Sequence, residues 1–403
     1  MRSSSLAGLV LMGGGARAAY QVGVLQAMAG LLQERNAARR TPFPIVVGTS
    51  AGAINASALA CGAADFVAAV EELAAVWSQL RVEQVFRADS LGVIRSGARW
   101  LTLLSLGWLL TRWWRQRPRS LLDNRPLAAL LHRRLDLRRI DWALRHHHLH
   151  ALAVTASSYS SGQHVTFYQA CRPIEPWSRS QRLAESTRLT HSHLLASAAI
   201  PFVFPAVPLQ VQGQREYFGD GSMRQTAPIS PAVHLGAQRI LVIGAGRLQE
   251  PPGPRAVCGD YPSLAQIAGH ALSNIFLDAL AVDVERARRI NHTLSLLSPE
   301  ARERTSLRPL DLLVIAPSQR LDDLAAGHVA ELPAPIRALL RALGVHSDGQ
   351  SPGEGAALVS YLLFEPGYVH ALMELGRQDT LARRAEVEHF LGLAGAQASE
   401  AAT

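Results

Sequence analysis

Near its start the sequence twice runs from a short apolar stretch, through a glycine-rich turn, into a helix-like stretch. Residues 8–12 precede Gly13-Gly14-Gly15 and apolar residues at helical spacing. Residues 44–47 precede Gly48-Thr49-Ser50-Ala51-Gly52 and a run of small residues. Two strands joined through a helix lie parallel, in a right-handed unit whose sheet is covered on both faces. The pattern predicts an α/β fold with three layers, α/β/α, around a mostly parallel central sheet.

The rest of the chain predicts a two-part organisation. We expect one domain over residues 6–248, with an insertion at about residues 90–122, and a mainly helical C-terminal region of unassigned role over residues 249–403. A proline-rich stretch that begins near residue 249 marks the boundary between the two parts. One further strand is predicted at residues 312–316.

Composition excludes several classes of protein. All 40 basic residues are arginine, which excludes Schiff-base lysine chemistry and a P-loop with its phosphate-binding lysine. The net charge of +8 favours an anionic partner. The widely spaced Cys61, Cys171 and Cys258 suggest neither a disulfide framework nor a zinc knuckle, and they predict a reducing compartment. Residues 6–12 are interpreted as a strand rather than as part of a signal peptide, so we expect a cytoplasmic protein.

The pentapeptide from Gly48 to Gly52 has the sequence and the context of a nucleophile elbow, with Ser50 at its centre. Such a turn is so sharp that flanking side chains would collide, and glycines on both sides of the serine avoid this collision. The serine hydroxyl would then stand at a helix N-terminus, where backbone N–H groups favour negative charge.

The glycines at positions 13–15 predict a loop that binds an oxyanion. Consecutive glycines allow backbone N–H groups to turn toward one point without interference from Cβ atoms. A dinucleotide-binding loop is disfavoured because Ala18 stands where a third glycine is needed and residues 42–47 contain no acid. For the neighbouring Arg17 three roles stay open: anchoring the loop, attracting an anionic head group, or simple solvation.

Asp220 is the candidate base for the serine. It lies between Gly219 and Gly221, and flanking glycines are typical of a carboxylate presented by a tight turn at a strand end, although Asp-Gly is also a common hairpin turn. The elbow follows only the second strand, which is too early for the common Ser-His-Asp hydrolase arrangement.

Together these motifs resemble those of the patatin-like phospholipase family, over roughly residues 6–245. The segments that carry the resemblance are Gly13-Gly14-Gly15-Ala16-Arg17, Gly48-Thr49-Ser50-Ala51-Gly52, Ala196-Ser197-Ala198-Ala199-Ile200-Pro201, Asp220-Gly221 and Ala227-Pro228-Ile229. Two positions depart from the usual pattern of the family. Ala18 stands where the family usually has glycine, and Ser222 stands where it has glycine or alanine.

The resemblance implies a serine acyl hydrolase that works without histidine. We expect neither a metal nor a cofactor. Ser50 would be the nucleophile and Asp220 the proton acceptor. Gly13, Gly14, Gly15 and Arg17 would form the oxyanion hole. The implied substrates are acyl esters of membrane lipids, either phospholipid or lysophospholipid, and nucleic acid is not an expected partner.

Two alternatives remain open at this stage. One is a Ser-His-Asp carboxylesterase that uses, for example, His270 or His292. The other is a membrane-binding scaffold without catalytic activity. The histidines at positions 146–148, 191 and 193 are weak metal-ligand candidates, because no matching cluster of cysteines or acids accompanies them.

The insertion at residues 90–122 holds six arginines, no acid and four of the seven tryptophans. Trp-rich, Arg-flanked segments are typical of the membrane interface, where Trp lies at head-group depth and Arg meets anionic lipid. The predicted membrane contacts are Trp100, Trp108, Trp113 and Trp114. A buried cap over the active site is the alternative interpretation. The first interpretation predicts peripheral binding to an anionic surface on the inner face of the membrane.

Overall fold

The computed structural model describes residues 5–37, 40–87, 120–248, 264–275, 279–342 and 356–393. The segment that holds Trp100, Trp108, Trp113 and Trp114 lies outside these ranges, so the predicted membrane contacts also lie outside the described residues.

The described strands form one ten-stranded sheet. They are β1 (Ala7–Leu11), β2 (Ile45–Thr49), β3 (Ala151–Ser158), β4 (His164–Ala170), β5 (Ser178–Arg179), β6 (Arg182–Ser186), β7 (Val207–Val211), β8 (Gln214–Asp220), β9 (Arg239–Ile243) and β10 (Asp311–Ile315). Their order is β10-β9-β1-β2-β3-β4-β6-β5, and the β7–β8 hairpin branches off where β8 pairs with β3. The five strands from β10 to β3 are mutually parallel.

Helices cover both faces of this sheet. The described α-helices are α1 (Ala19–Glu34), α2 (Ala51–Cys61), α3 (Phe66–Ser78), α4 (Val82–Val85), α5 (Arg125–Arg134), α6 (Arg138–Arg145), α7 (His191–Ser197), α8 (Ser230–His234), α9 (Leu264–Ser273), α10 (Ala279–Ser295), α11 (Pro299–Glu303), α12 (Leu321–Ala326), α13 (Ala334–Ala342), α14 (Ala356–Leu362), α15 (Pro366–Ala382) and α16 (Arg384–Leu391). Short 3₁₀ helices occupy Gly15–Ala18, Gly221–Arg224 and Val329–Glu331.

The alternation of side chains along β1 separates two hydrophobic cores. Leu9 and Leu11 face a large core shared with α1, α2, α3 and α15, whereas Val10 and Met12 face a smaller core shared with α8 and α10. Successive side chains of a strand point to opposite faces, and a buried parallel strand is therefore apolar throughout. The predicted three-layer α/β/α fold with a mostly parallel sheet is confirmed.

The region after residue 249 contributes to the same fold. The strand predicted at residues 312–316 is β10, which extends the sheet beside β9. Helix α15 lies across α1, and two glycines allow the helix backbones to touch. A Cβ at Gly23 would overlap the carbonyl oxygen of Met373, and one at Gly376 would overlap that of Tyr20.

No single helix within the described ranges is long and apolar enough to cross a bilayer. Helices α14 and α15 reach that length and composition only as a pair, with a bend of 94° between them.

Candidate active site

Ser50 occupies the sharp turn between β2 and α2. Its backbone angles are φ 55° and ψ −131°, a conformation with positive φ that is uncommon for a residue with a side chain and is concentrated at functional sites. A Cβ at Gly48 would overlap the carbonyl oxygen of Gly52, and one at Gly52 would overlap the carbonyl oxygens of Leu11 and Met12. Both predicted elbow glycines are therefore required by space, and the second also brings the elbow against the end of β1.

The structure brings the predicted nucleophile and the predicted base together, although 170 positions separate them in the chain. The Ser50 hydroxyl donates a hydrogen bond of 2.5 Å to Oδ2 of Asp220. Both residues are buried, with 1% and 0% of their surfaces exposed. The Ser50 N–H donates to the Ser197 hydroxyl at 2.8 Å, which fixes the backbone of the elbow.

Asp220 is the last residue of β8 and precedes a 3₁₀ helix. Its Oδ1 accepts a hydrogen bond from the Ser222 N–H at 2.9 Å, and its own N–H donates to the carbonyl of Ala199 at 2.9 Å. A Cβ at Gly221 would overlap the carbonyl oxygen of Thr155, so the turn after Asp220 has room only for glycine. These two hydrogen bonds hold the carboxylate toward the serine.

Burial raises the pKa of the Asp220 carboxyl to about 6, even though hydrogen bonds from Ser50 and Ser222 favour its charged form. Removal from water disfavours a carboxylate charge, whereas donors to the carboxylate favour it. A group with this pKa is a base at neutral pH and an effective acid after it has taken a proton. The dyad therefore has the chemistry of a nucleophile with its own general base.

The loop at positions 13–15 follows β1, on the same edge of the sheet as the elbow that follows β2. Gly14 is extended, with φ 168°, and Gly15 is left-handed, with φ 56°. A Cβ at Gly15 would overlap the carbonyl oxygen of Tyr361. Gly15 also lines the same pocket as Ser50, which places the predicted oxyanion loop beside the predicted nucleophile.

The Arg17 side chain is buried, with 2% of its surface exposed, so of its three possible roles simple solvation does not fit. Its guanidinium forms an ion pair with Asp322 and donates to the Ser360 hydroxyl through Nε at 2.8 Å. These contacts engage the guanidinium with the C-terminal region, which fits anchoring of the loop rather than contact with a head group or direct donation to an oxyanion.

A layer of buried polar side chains near the dyad was not predicted from the sequence. The Thr49 and Thr155 hydroxyls lie 2.7 Å apart, and Nε2 of Gln225 donates to Oγ1 of Thr49 at 2.7 Å. Together with Ser197, these residues connect β2, β3 and the turn after β8. Ser197 lies in a segment that resembles the family, whereas Thr49 and Thr155 look like ordinary strand residues in the sequence.

An apolar pocket leads away from Ser50 between the helices of the large core. Its walls include Ile54, Ala58, Leu73, Trp77, Leu130 and Phe204. Charged residues also line it, namely Glu72, Arg134, Asp136 and Arg139, and these are exposed. The pocket therefore connects the buried serine to a charged rim at the surface.

The alternative base candidates lie elsewhere in the fold. His270 on α9 and His292 on α10 are both exposed, whereas the Ser50 hydroxyl already donates to Asp220. In the described part of the chain, no three histidine, cysteine or acidic side chains converge in a way that could hold a metal ion.

Comparison with known proteins places most of this site within one sequence family. The model of the family described as Patatin-like phospholipase matches residues 9–233. No curated protein matches the sequence. Among solved structures, the crystal structure of VipD from Legionella pneumophila is similar, with 14% identity and a TM-score of 0.35, over 96% of this chain and 67% of that chain. The family match covers both dyad residues and more than half of the chain.

Proposed function

The chain belongs to the patatin-like phospholipase family, and from this premise we propose that it is a serine lipid acyl hydrolase of the phospholipase A or lysophospholipase type. Membership supports a lipid acyl hydrolase in general. The proposal adds the Ser50–Asp220 dyad, the oxyanion loop and the class of lipid. The observation that carries it is the 2.5 Å hydrogen bond between the buried Ser50 hydroxyl and Asp220 at the end of an apolar pocket.

In the proposed reaction Asp220 accepts the hydroxyl proton of Ser50 while Oγ attacks the ester carbonyl carbon. Backbone N–H groups of Gly14 and Gly15 stabilise the negative oxygen of the tetrahedral intermediate. Asp220 then returns the proton to the leaving alcohol, and an acyl-serine remains. In the second half Asp220 deprotonates a water molecule, which attacks the acyl-serine. Asp220 then gives this proton to Oγ of Ser50 as the ester bond breaks, which releases the fatty acid and regenerates Ser50.

The shape and polarity of the pocket support a lipid with a charged head. Apolar walls favour an acyl chain, because each buried methylene contributes roughly 0.8 kcal/mol. The exposed rim residues Arg134 and Arg139 suit a phosphate-bearing head group, since guanidinium groups bind phosphate well. We therefore assign phospholipid or lysophospholipid as the substrate class within the proposal.

We further propose that the protein works at the inner face of a membrane as a peripheral protein. The support is compositional: a net charge of +8, most of it within the Arg- and Trp-rich residues 90–122. Polybasic segments gain about 1 kcal/mol per basic residue near an anionic surface. Co-sedimentation with anionic and neutral vesicles tests this part, and equal binding to both would contradict it.

The proposed dyad is tested by comparing Ser50→Ala and Asp220→Asn with the wild type on a phospholipid and on a p-nitrophenyl ester. We expect each change to lower kcat by at least about 10³-fold and the double change to cost no more, because the two residues act as a unit. Circular dichroism and Tm report whether each variant folds.

Asp283→Asn is a matched control, because Asp283 is also a buried carboxylate with a pKa raised by burial but lies in the other core. It should keep near wild-type kcat. His270→Ala and His292→Ala should also remain active. Loss of activity in either histidine variant with the fold intact would favour the Ser-His-Asp alternative, and an unchanged Ser50→Ala would refute the proposed nucleophile.

A further inference from the structure

Arg17 connects the glycine-rich loop to two helices that lie more than 300 residues later in the chain. Its Nη2 pairs with Asp322 in the first turn of α12 and donates to the Ser360 hydroxyl of α14 at 2.6 Å. The Ser360 hydroxyl also donates, either to the carbonyl of Ala357 at 2.6 Å or to Oδ1 of Asp322 at 3.3 Å. One buried cation thus joins three separate elements.

A second contact between the loop and α14 lies two residues earlier. Gly15 packs so tightly against the carbonyl of Tyr361 that a Cβ would overlap it. The Tyr361 ring lies under the Arg17 guanidinium, with 4.0 Å from Cζ to the ring centroid, a geometry in which the cation is attracted to the ring face. The two neighbouring residues Ser360 and Tyr361 therefore constrain both ends of the loop's 3₁₀ turn.

The helix that follows the loop is held by the same region. The Tyr20 hydroxyl donates to Asp379 on α15 at 2.9 Å, and α15 crosses α1 at Gly23 and Gly376. The loop is consequently held by α12 and α14 through Arg17, and the helix that follows the loop is held by α15.

We propose that Asp322 and Ser360 are positioning residues, which act through Arg17 to hold the backbone N–H groups of Gly14 and Gly15 in place for catalysis. The catalytic part of this proposal rests on the proposed function. The C-terminal region would then complete the active site although it supplies no group to the reacting atoms. Donors that stabilise a developing oxyanion must be preorganised, and a displacement of about 1 Å can cost about 10²-fold in rate.

The nature of the contact favours a positioning role over a purely stabilising one. A buried ion pair is weak evidence for stability, because well-packed apolar side chains of similar volume often serve equally well. What a charged, forked side chain adds is direction, since the guanidinium fixes the angles at which its partners lie. An oxyanion loop requires its backbone N–H groups to point in fixed directions.

The test compares Asp322→Asn with Asp323→Asn, a matched change at the exposed neighbouring residue. Hydrogen–deuterium exchange of residues 13–18 reports the loop, and steady-state kinetics on a soluble ester report catalysis. We expect Asp322→Asn to speed exchange in the loop at least about tenfold and to lower kcat by about 10²-fold, with KM changed less than about threefold. Asp322→Glu should recover part of the lost kcat, and Asp323→Asn should resemble the wild type.

Ser360→Ala keeps the ion pair and removes one acceptor, so it should give smaller changes in the same direction and covers the case in which Asp322→Asn does not fold. Unchanged loop exchange in a folded Asp322→Asn would overturn the proposal, as would a Tm loss with unaltered kcat. If loop exchange rises as expected while the wild type hydrolyses no ester, Asp322 still holds the loop through Arg17, and only the proposed function fails.

Discussion

The two sides of the active site are built in different ways. The dyad side comes from β2, β3, β8 and α7, all within residues 45–222, and hydrogen bonds of the sheet and its turns hold it together. The loop side comes from residues 13–18 and depends on side chains of α12, α14 and α15. The dyad side is fixed mainly by backbone pairing, with a few buried side-chain hydrogen bonds such as that from the Ser50 N–H to Ser197. The loop side is fixed by packing, one buried cation and the hydrogen bond from Tyr20 to Asp379.

Because the two sides are held differently, oxyanion stabilisation and the dyad can be disturbed separately. A ladder of backbone hydrogen bonds is insensitive to most side-chain changes, whereas a loop held by a few side chains responds to each of them. Changes in the C-terminal helices should therefore affect oxyanion stabilisation while the Ser50–Asp220 hydrogen bond persists. Changes near Asp220 should silence the dyad without loosening the loop.

On the dyad side, the largest effect expected without a substitution is the dependence of activity on pH. Because the pKa of Asp220 is raised to about 6 and the base must be ionised, kcat/KM should fall about tenfold per pH unit below that value, or roughly 100-fold at pH 4. A pH profile of kcat/KM on a soluble ester measures this. Ser360→Ala, which changes the other side, should lower the plateau and leave the apparent pKa in place.

The same carboxyl should affect stability in the opposite direction. Its pKa is higher in the folded chain than the ordinary 3.8, so the folded state binds the proton more tightly and this contribution to stability is lost as pH rises from about 4 to 6. The difference corresponds to roughly 3 kcal/mol. Asp220→Asn should therefore be inactive yet at least as stable as the wild type at pH 8, and a large fall in its Tm would contradict this account.

The next prediction concerns the contact between α1 and α15, which supports the loop side. Gly23→Ala would place a methyl group into the carbonyl of Met373, and overpacking of this kind typically costs about 1–3 kcal/mol, occasionally more. We expect a lower free energy of unfolding in chemical denaturation, together with a fall in kcat as the loop moves with α1.

Gly30→Ala is the matched control in the same helix, because no heavy atom lies within 4 Å of a Cβ built there. Replacing an unhindered helical glycine by alanine should stabilise the chain by about 0.5–1 kcal/mol. Equal destabilisation by both substitutions would show that the close approach of the two helices does not govern this side.

Sequence patterns predicted the local structure of the dyad side well and that of the loop side only in part. Strand 8–12 and the turn from Gly48 to Gly52 lie within short stretches whose periodicity and glycines determine the local structure, and the observed β1 and elbow agree with them. The flanking glycines pointed to Asp220, which lies in hydrogen-bond contact with Ser50, and its role as the base stays a prediction. Local structure of this kind is determined by adjacent residues, so it can be predicted from the sequence alone.

The partners of Arg17 could not be predicted in the same way. Asp322 and Ser360 lie in helices without any motif, and they meet Arg17 only because β10 and α15 bring the C-terminal region back against α1. Gly23 and Gly376 look like weak points of their helices in the sequence, since glycine disfavours a helix interior. Glycine is required at both positions because α1 and α15 cross closely there, and a sequence does not show this crossing.

The effect confined to one class of substrate concerns the pocket that both sides share. Ala51, Ile54, Ala58 and Cys61 lie along one face of α2 and line the pocket, and at a rise of about 1.5 Å per residue Ala58 lies about 10 Å from the start of the helix. Ala58→Phe should block the pocket beyond that depth.

We expect Ala58→Phe to leave kcat/KM for a butyrate ester within about twofold of the wild type and to lower it for long-chain esters. Each excluded methylene gives up roughly 0.8 kcal/mol, or about fourfold. A chain-length series of p-nitrophenyl esters measures this, with Ala75→Phe on the exposed side of α3 as the control. An equal loss for all chain lengths would mean that the substitution disturbs the elbow, and unchanged selectivity would mean that the acyl chain lies elsewhere, so only a graded loss supports binding of the chain along α2.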